Sequence, residues 1–404
     1  MKICMILGEN FEKLQKDTRV LREANSLAKA GYIVSIVLLS EEFDKTYKKL
    51  HNTDIRVIGV PSFRAFKRFN PFEARNVGNL AIRVLFGLPY IIKYLYNALL
   101  VLLREDADAY HAHDFPTLPL GYFSAKIKNA KIVYDSHELW GESRIFSQSS
   151  YFTPFIRFWK LFSTLMESYL SKRVDKVITV NESIAQYLTV KYKIEKPVVI
   201  SNFSEYSNVE RSDILRKELS IDENKKIAIY QGAIITGRGL EKLVECSKYL
   251  HDVVVVIMGF GDLKERLQKK IEKENIDNVK LLDAVPPDVL MSYTASADIG
   301  ISSVQNICLS YYYSTPNKVW EYIMAGIPFA ASDFPEMRKL AIDENMGVVF
   351  NPEDAKSIAE AINYLLDNRD MYNIKKENVL MLAKEKYNWE KESLKLIKLY
   401  AELE

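Results

Sequence analysis

Cysteine is scarce in this chain. Cys4, Cys246 and Cys308 are the three among 404 residues; odd in number and far apart, they exclude a disulfide framework and a cysteine metal site and fit a reducing compartment. Charge of one sign is lacking as well. The 55 basic and 53 acidic residues leave a net +2, so bulk charge makes no case for a nucleic-acid partner. There is no internal repeat or low-complexity tract, and the apolar run from Ile3 to Leu7 is too short for a signal-peptide core. The cytoplasm is the expected address. Histidines number five, and although His111 and His113 project from one side of a strand, no further Cys or His cluster completes a tetrahedral set. No metal and no other cofactor is expected.

What is present is a long α/β pattern, with 48% apolar residues and length enough for two or three domains. The strand run Lys2 to Leu7, the helical spacing Val20 to Ala30, Gly31 and the run Tyr32 to Leu39 make a βαβ opening. No G-x-G-x-x-G follows the first strand. Runs at 109–112 and 131–134 end in His111-Ala112-His113-Asp114 and Asp135-Ser136-His137-Glu138, two polar strand ends that together make a cleft floor. Strands at 176–180 and 197–200 complete the first domain, 1–203. A charged stretch, 204–226, leads to a second series at 227–230, 253–258, 279–282, 297–301 and 347–350, ending in a helix at 355–366. Residues 204–386 are the second domain and 387–404 a closing helix.

Three segments carry open questions. Residues 63–104 hold seven Lys or Arg against the single acid Glu73, with Phe63, Phe66, Phe69 and Phe72 at three-residue intervals. That composition suits an anionic membrane surface or a lipid-linked acceptor. Within it Leu80 to Leu103 is long enough to span a bilayer, but Arg83, Gly87, Pro89 and Lys93 interrupt it, and a kinked helix on the sheet is expected. Asp106-Ala107-Asp108 matches a metal-binding D-x-D yet precedes its strand, the wrong end for a ligand. The stripe Phe155, Phe158, Phe162, Leu165, Met166 and Tyr169 fits core packing or membrane contact equally.

The stretch Tyr313 to Asp333 is the most informative. Thr315 reads as an N-cap, Pro316 as the first helical residue and Gly326 as a stop, giving a helix of about three turns. Asn317, Lys318 and Glu321 lie on its polar side. A helix N-terminus with an adjacent lysine suits a diphosphate, and a glutamate one turn on suits a sugar diol. An ordinary surface pair of Lys318 with Glu321 is the alternative. The loop Gly237-Arg238-Gly239 offers a second cation at a helix start, and Gly259-Phe260-Gly261 follows an apolar strand.

These pieces, in their order, resemble the retaining family 4 glycosyltransferases of the GT-B fold: Pro316-Asn317-Lys318, Glu321-Tyr322, Ala325-Gly326-Ile327-Pro328 and Ser332-Asp333, with Asp17-Thr18-Arg19-Val20 and the strand-end histidines earlier. The resemblance implies two Rossmann-like domains facing across a cleft, with the last helix crossing back. It implies a nucleoside diphosphate sugar donor, a glycan or lipid-linked acceptor, retention of configuration and no nucleic acid. By the same resemblance His113 orients the sugar and Glu321 holds the ribose, so both serve the reaction. Arg238, Gly259, Gly261, Val285, Pro316, Asn317 and Lys318 make the donor site, and Arg19, His111, Asp114, His137 and Glu138 the acceptor side. The chain has Tyr313 where the family has a first glutamate, and Ala233 where it has a first basic residue. A nucleotide-sugar epimerase on the same fold and a non-catalytic partner in a glycan assembly complex are the rival readings.

Overall fold

The computed structural model describes residues 1–15, 17–39, 48–50, 53–60, 80–147 and 154–404. Residues 63–79, which carry most of the basic and aromatic segment, lie outside them. The first sheet contains β1 (Lys2–Leu7), β2 (Ile33–Leu38), β3 (Lys48–Lys49), β4 (Arg56–Gly59), β5 (Ala109–His113), β6 (Lys131–Ser136), β7 (Lys176–Thr179) and β8 (Val198–Val199), in the order β3-β4-β2-β1-β5-β6-β7-β8. The second contains β9 (Lys226–Gln231), β10 (Val253–Met258), β11 (Val279–Leu282), β12 (Ile299–Ser302), β13 (Phe329–Ser332) and β14 (Gly347–Phe350), in the order β11-β10-β9-β12-β13-β14. All pairings are parallel except β3 with β4. Parallel sheets need helices on both faces, which is why β1 and β10 read as unbroken apolar runs and are buried almost throughout.

In each sheet the chain starts near the middle, builds outward on one side and then crosses over. The switch falls between β1 and β5 in the first sheet and between β9 and β12 in the second. Ligands of open α/β sheets bind outside the strand ends at such switches, because there the connecting loops diverge. The elements that matter for the site are α1 (Thr18–Lys29), α2 (Leu80–Arg104), α3 (Leu118–Lys128), α4 (Pro154–Ser171), α5 (Glu182–Tyr192), α6 (Asn317–Met324) and α7 (Trp389–Ala401). Although it follows the second domain, α7 packs on α1: Leu396, Leu399 and Tyr400 share a core with Val20, Ala24 and Leu27, and the Trp389 indole N–H donates to Ser26 Oγ at 2.9 Å. The last helix crosses back, as the resemblance implied.

Several expectations are corrected. The helix in the key stretch begins at Asn317, with Pro316 rather than Thr315 at its N-cap, and is only about two turns long. Thr315 instead meets the Asn181 amide of the first domain, at 3.4 Å. Strand β13 and a helix at Arg369–Glu385 were not anticipated: β13 is a short apolar run buried between neighbours and carries no alternation, and the helix buries only Lys375, Val379 and Ala383, too little for an apolar stripe. Asp106 is paired with Lys128 at 2.8 Å and Asp108 accepts the Lys2 N–H at 2.6 Å, both at the amino end of β5 and away from the switch. α2 runs through Pro89, and among the described residues no helix is long and apolar enough to cross a membrane.

The seat of α6 is tight. A Cβ built on Gly300 in β12 would lie 2.2 Å from the ring of Tyr322, whose hydroxyl donates to the carbonyls of Ile229 (3.1 Å) and Ile301 (2.9 Å). Overpacking of this kind costs roughly 1–3 kcal/mol. Gly300→Ala is therefore expected to lower the unfolding free energy by that amount, seen as a lower urea midpoint, and an unchanged midpoint would show that α6 is not seated as described.

Candidate active site

The two sheets present their carboxyl ends to one another across a cleft of about 480 Å³. From the second domain, Pro316, Asn317 and Lys318 at the start of α6 line it, together with Glu321 one turn further on. Lys318 is 8% exposed and its Nζ rests 3.3 Å from the centre of the Tyr230 ring, a cation–π contact in place of the surface pair with Glu321. Burial, then repulsion from Arg238, hold its ammonium well below the usual lysine range. Arg238 lies 4.5 Å over the Tyr311 ring. The Glu321 carboxylate accepts from the Gln231 amide, whose oxygen in turn accepts from Thr294 Oγ at 2.9 Å. Burial raises the pKa of Glu321. Among the described residues, neither cation of this wall is given a carboxylate partner by geometry, so both can serve an anion.

The first domain supplies a wall of different character. Arg19 is buried and its Nε and Nη2 grip the Asp135 carboxylate at 2.8–3.1 Å, while Nη1 donates to the Ile200 carbonyl at 2.7 Å. Arg19 lines the cleft, as the resemblance implied, but from beneath and tied at every edge. His137 follows on the loop after β6. Its Nε2 is 3.2 Å from Asp135 Oδ2, and its backbone N–H donates to Asp114 Oδ1 at 3.0 Å, with Asp114 in a left-handed turn (φ 61°). Burial opposes a charge on His137, but the carboxylates of Asp114 and Asp135 outweigh it and raise the pKa to about 10. The neighbouring Glu138 is pushed up to about 7, by burial first and by Asp114 second.

The residues singled out in sequence divide into two groups. Arg19, His137, Glu138, Arg238, Pro316, Asn317, Lys318 and Glu321 converge on the cleft. His113, 3% exposed, lies behind His137, with its Nδ1 3.1 Å from His137 Nε2, and His111 lies deeper, 2.9 Å from the Tyr400 hydroxyl of α7. Gly259 and Gly261 serve loop packing: a Cβ on either would meet the backbone oxygen of Gly232 or Ile234 at 1.8 and 2.1 Å. Neither these glycines nor Val285 lines the cleft. Tyr313 faces away, its ring 6.1 Å from Tyr187 and its carbonyl accepting from the Asn181 amide at 2.7 Å. Unanticipated were Asp135 as the hub of the first wall, and Gln231, Tyr230, Tyr311 and Asn202 around the second. Asn202 meets Asn317 across the domains at 3.0 Å. Only the polar ends of β6 and β9 hinted at them.

Four buried groups, Glu23, His111, His113 and Asp135, lie close enough to hold an ion. They do not fit one. Arg19 already occupies the Asp135 carboxylate and stands 3.1 Å from Glu23, and a divalent ion beside a guanidinium would be repelled. Removing the Asp135 charge takes from Arg19 the carboxylate that its Nε and Nη2 grip and leaves Glu23 as its remaining acidic neighbour; breaking a buried pair costs about 3–5 kcal/mol. Asp135→Asn should be destabilised to that extent, and its His137 pKa, followed by NMR, should fall from about 10. In the wild type that raised histidine adds stability in full below pH 6.5 and loses it as pH rises toward 10.

The family model for glycosyltransferase family 4 matches residues 17–204, and that for glycosyl transferases group 1 matches residues 211–380. An uncharacterized glycosyltransferase of Methanocaldococcus jannaschii is 21% identical, over 87% of this chain and 91% of its own length. The chitobiosyldiphosphodolichol beta-mannosyltransferase of Candida albicans is 19% identical, over 95% of this chain and 85% of its own length. Among solved structures, that of the Anabaena protein HepE in complex with UDP and glucose superposes with a TM-score of 0.69 at 16% identity, covering 100% of both chains. At that identity it is the fold that is shared.

Proposed function

We propose that this chain, which belongs to the glycosyl transferases group 1 of the family 4 type, transfers a hexose from a nucleoside diphosphate sugar to a glycan or lipid-linked glycan with retention at the anomeric carbon and without a metal. The observation that carries this is the pair of cations, Lys318 and Arg238, held on aromatic rings around the N-terminus of α6. Arg238, a Lys318 whose proton a bound diphosphate would favour, and backbone N–H groups can together bear the charge of a departing diphosphate, the task for which other transferases use a divalent ion. HepE with UDP and glucose, and a relative whose name gives a lipid diphosphate-linked acceptor, support the donor and acceptor classes.

Each wall then has a part. Glu321, oriented by Gln231, receives the ribose hydroxyls and sets the donor's position. His137, charged at neutral pH, faces the sugar and diphosphate from the first domain, so the chemistry needs both walls together. His113 acts through His137, orienting its ring from behind. The bond between the anomeric carbon and the β-phosphate oxygen breaks as the acceptor oxygen bonds to the same face, and the acceptor proton passes to the departing phosphate. Glu138, as a carboxylate, accepts a hydrogen bond from a neighbouring hydroxyl of the acceptor and so aims the attacking oxygen, whose own proton goes to the phosphate.

Two measurements test this. Calorimetric titration with UDP, GDP and ADP, in the presence of EDTA, is expected to find one nucleotide binding at micromolar Kd and a loss of at least about tenfold, roughly 1.4 kcal/mol, in Glu321→Ala. Binding of none by the wild type would point to the non-catalytic reading. In transfer assays, kcat/KM should rise with pH through a limb near 7, where Glu138 ionises, and Glu138→Gln should abolish that limb. A limb that survives the substitution belongs to another group.

A further inference from the structure

Three helices cover one face of the first sheet. α3 packs between α2 and α4, and their inner residues, among them Ala98, Leu102, Leu118, Ala125 and Leu170, share one core with Ile6, Tyr110 and Tyr134 of the sheet. Their outer faces are not polar. On α4, Phe158 and Leu165 are 62% and 61% exposed, with Leu161 and Tyr169 beside them at helical spacing. α3 adds Phe123 and Ile127, and the described part of α2 adds Ile92, Leu95 and Tyr96. The stripe on α4 that sequence left open between core and membrane is therefore outward-facing at these positions. An apolar surface continuous over three helices exceeds the isolated exposed residues of an ordinary surface.

Its charge is mostly of one sign. The three helices carry seven Lys or Arg (Arg83, Lys93, Arg104, Lys126, Lys128, Arg157 and Lys160) and one acid, Glu167; of the seven, Lys128 is paired with Asp106 and Lys160 with Glu142. Glu167 is 1% exposed and faces inward, accepting from the hydroxyls of Tyr134 (2.6 Å) and Tyr192 (2.8 Å). Beyond the end of α4, Lys172 and Arg173 are exposed, and Arg173 stacks on Tyr169 with its guanidinium 3.5 Å from the ring centre. Tyrosine beside arginine, with apolar residues deeper and no outward carboxylate among the described residues of the three helices, matches the interface of an anionic bilayer: acyl chains for Phe158, Leu161 and Leu165, headgroup phosphates for the cations.

We infer that the outer face of α2, α3 and α4 docks on an anionic membrane surface. This deepens the reading of a lipid-linked acceptor and rests on it for its purpose, though the surface itself is read from burial and charge. α4 adds a described element to the basic and aromatic segment 63–104 on which the sequence reading rested. The companion loop after β6 is pinned to α4 by the contact of Lys160 with Glu142 at 2.9 Å, so the docked helix leads directly to the cleft wall that holds His137 and Glu138.

The test is co-sedimentation of the full chain with vesicles of phosphatidylglycerol and, separately, of phosphatidylcholine, with nucleotide titration and light scattering on the same preparations. The wild type should sediment with phosphatidylglycerol vesicles, more weakly at high salt, and remain in solution with phosphatidylcholine. Phe158→Ser combined with Leu161→Ser and Leu165→Ser should lose at least tenfold in vesicle affinity, and Lys172→Glu combined with Arg173→Glu should do likewise, with nucleotide affinity unchanged as proof of folding. Unchanged sedimentation of both variants overturns the inference, as does a wild-type dimer that the apolar variant converts to monomer, since the occupant is then a second copy. Vesicle binding without nucleotide binding would leave the docking face standing and remove the donor-site reading instead.

Discussion

Beneath the cleft a guanidinium and a carboxylate are buried together, and much of the first domain is arranged to make that tolerable. Removing two such ions from water costs several kcal/mol each unless every hydrogen-bonding edge is met. Arg19 meets the condition by reaching Asp135 on β6 and the Ile200 carbonyl beyond β8, which ties the start of α1 to two separate strand ends. Asp135 meets it by also serving His137, so the same charge that anchors the arginine keeps an imidazolium at the cleft. His111 and His113 stack beneath, 4.3 Å apart, and pass the network on to Tyr400. The last helix of the chain is in this way part of the floor of the site.

The second domain solves the opposite problem. On the proposed reading it holds positive charge near a helix N-terminus without a carboxylate partner, which would compete with a phosphate. Aromatic faces stand in for carboxylates: Tyr230 lies under Lys318 and Tyr311 under Arg238, an attraction that offsets part of the burial that disfavours the Lys318 charge. Tyr230 is itself held by its hydroxyl on the Ala233 carbonyl at 2.7 Å. The residue that stands where the family places a basic group thus still takes part, through its backbone. Tyr313, where the family places a carboxylate, has become a contact between the domains.

Periodicity and punctuation in the chain were sufficient for the α/β class, for most of the strands and for the place of the key helix, because these depend on neighbours within a few residues. The resemblance carried by Pro316-Asn317-Lys318 and Glu321 extended this to two domains and a crossing helix, which the structure and the family matches bear out. Less legible was anything that depends on depth. His113 and His137 look alike in sequence, yet one is buried and the other lines the cleft, since β5 ends beneath the loop that follows β6.

By itself, then, the sequence determined which segments form strands and helices and where polar side chains gather at strand ends, since local spacing and turn residues decide both. Only the tertiary structure decided that Asp135 is the hub, that Lys318 rests on Tyr230 and not on Glu321, and that the aromatic face of α4 points outward. Each is a contact, or the lack of one, between elements distant in the chain: Arg19 and Asp135 are 116 positions apart, His111 and Tyr400 289. Burial, which shifts Lys318, Glu321 and Glu138, is a property of such contacts and has no local sequence signal.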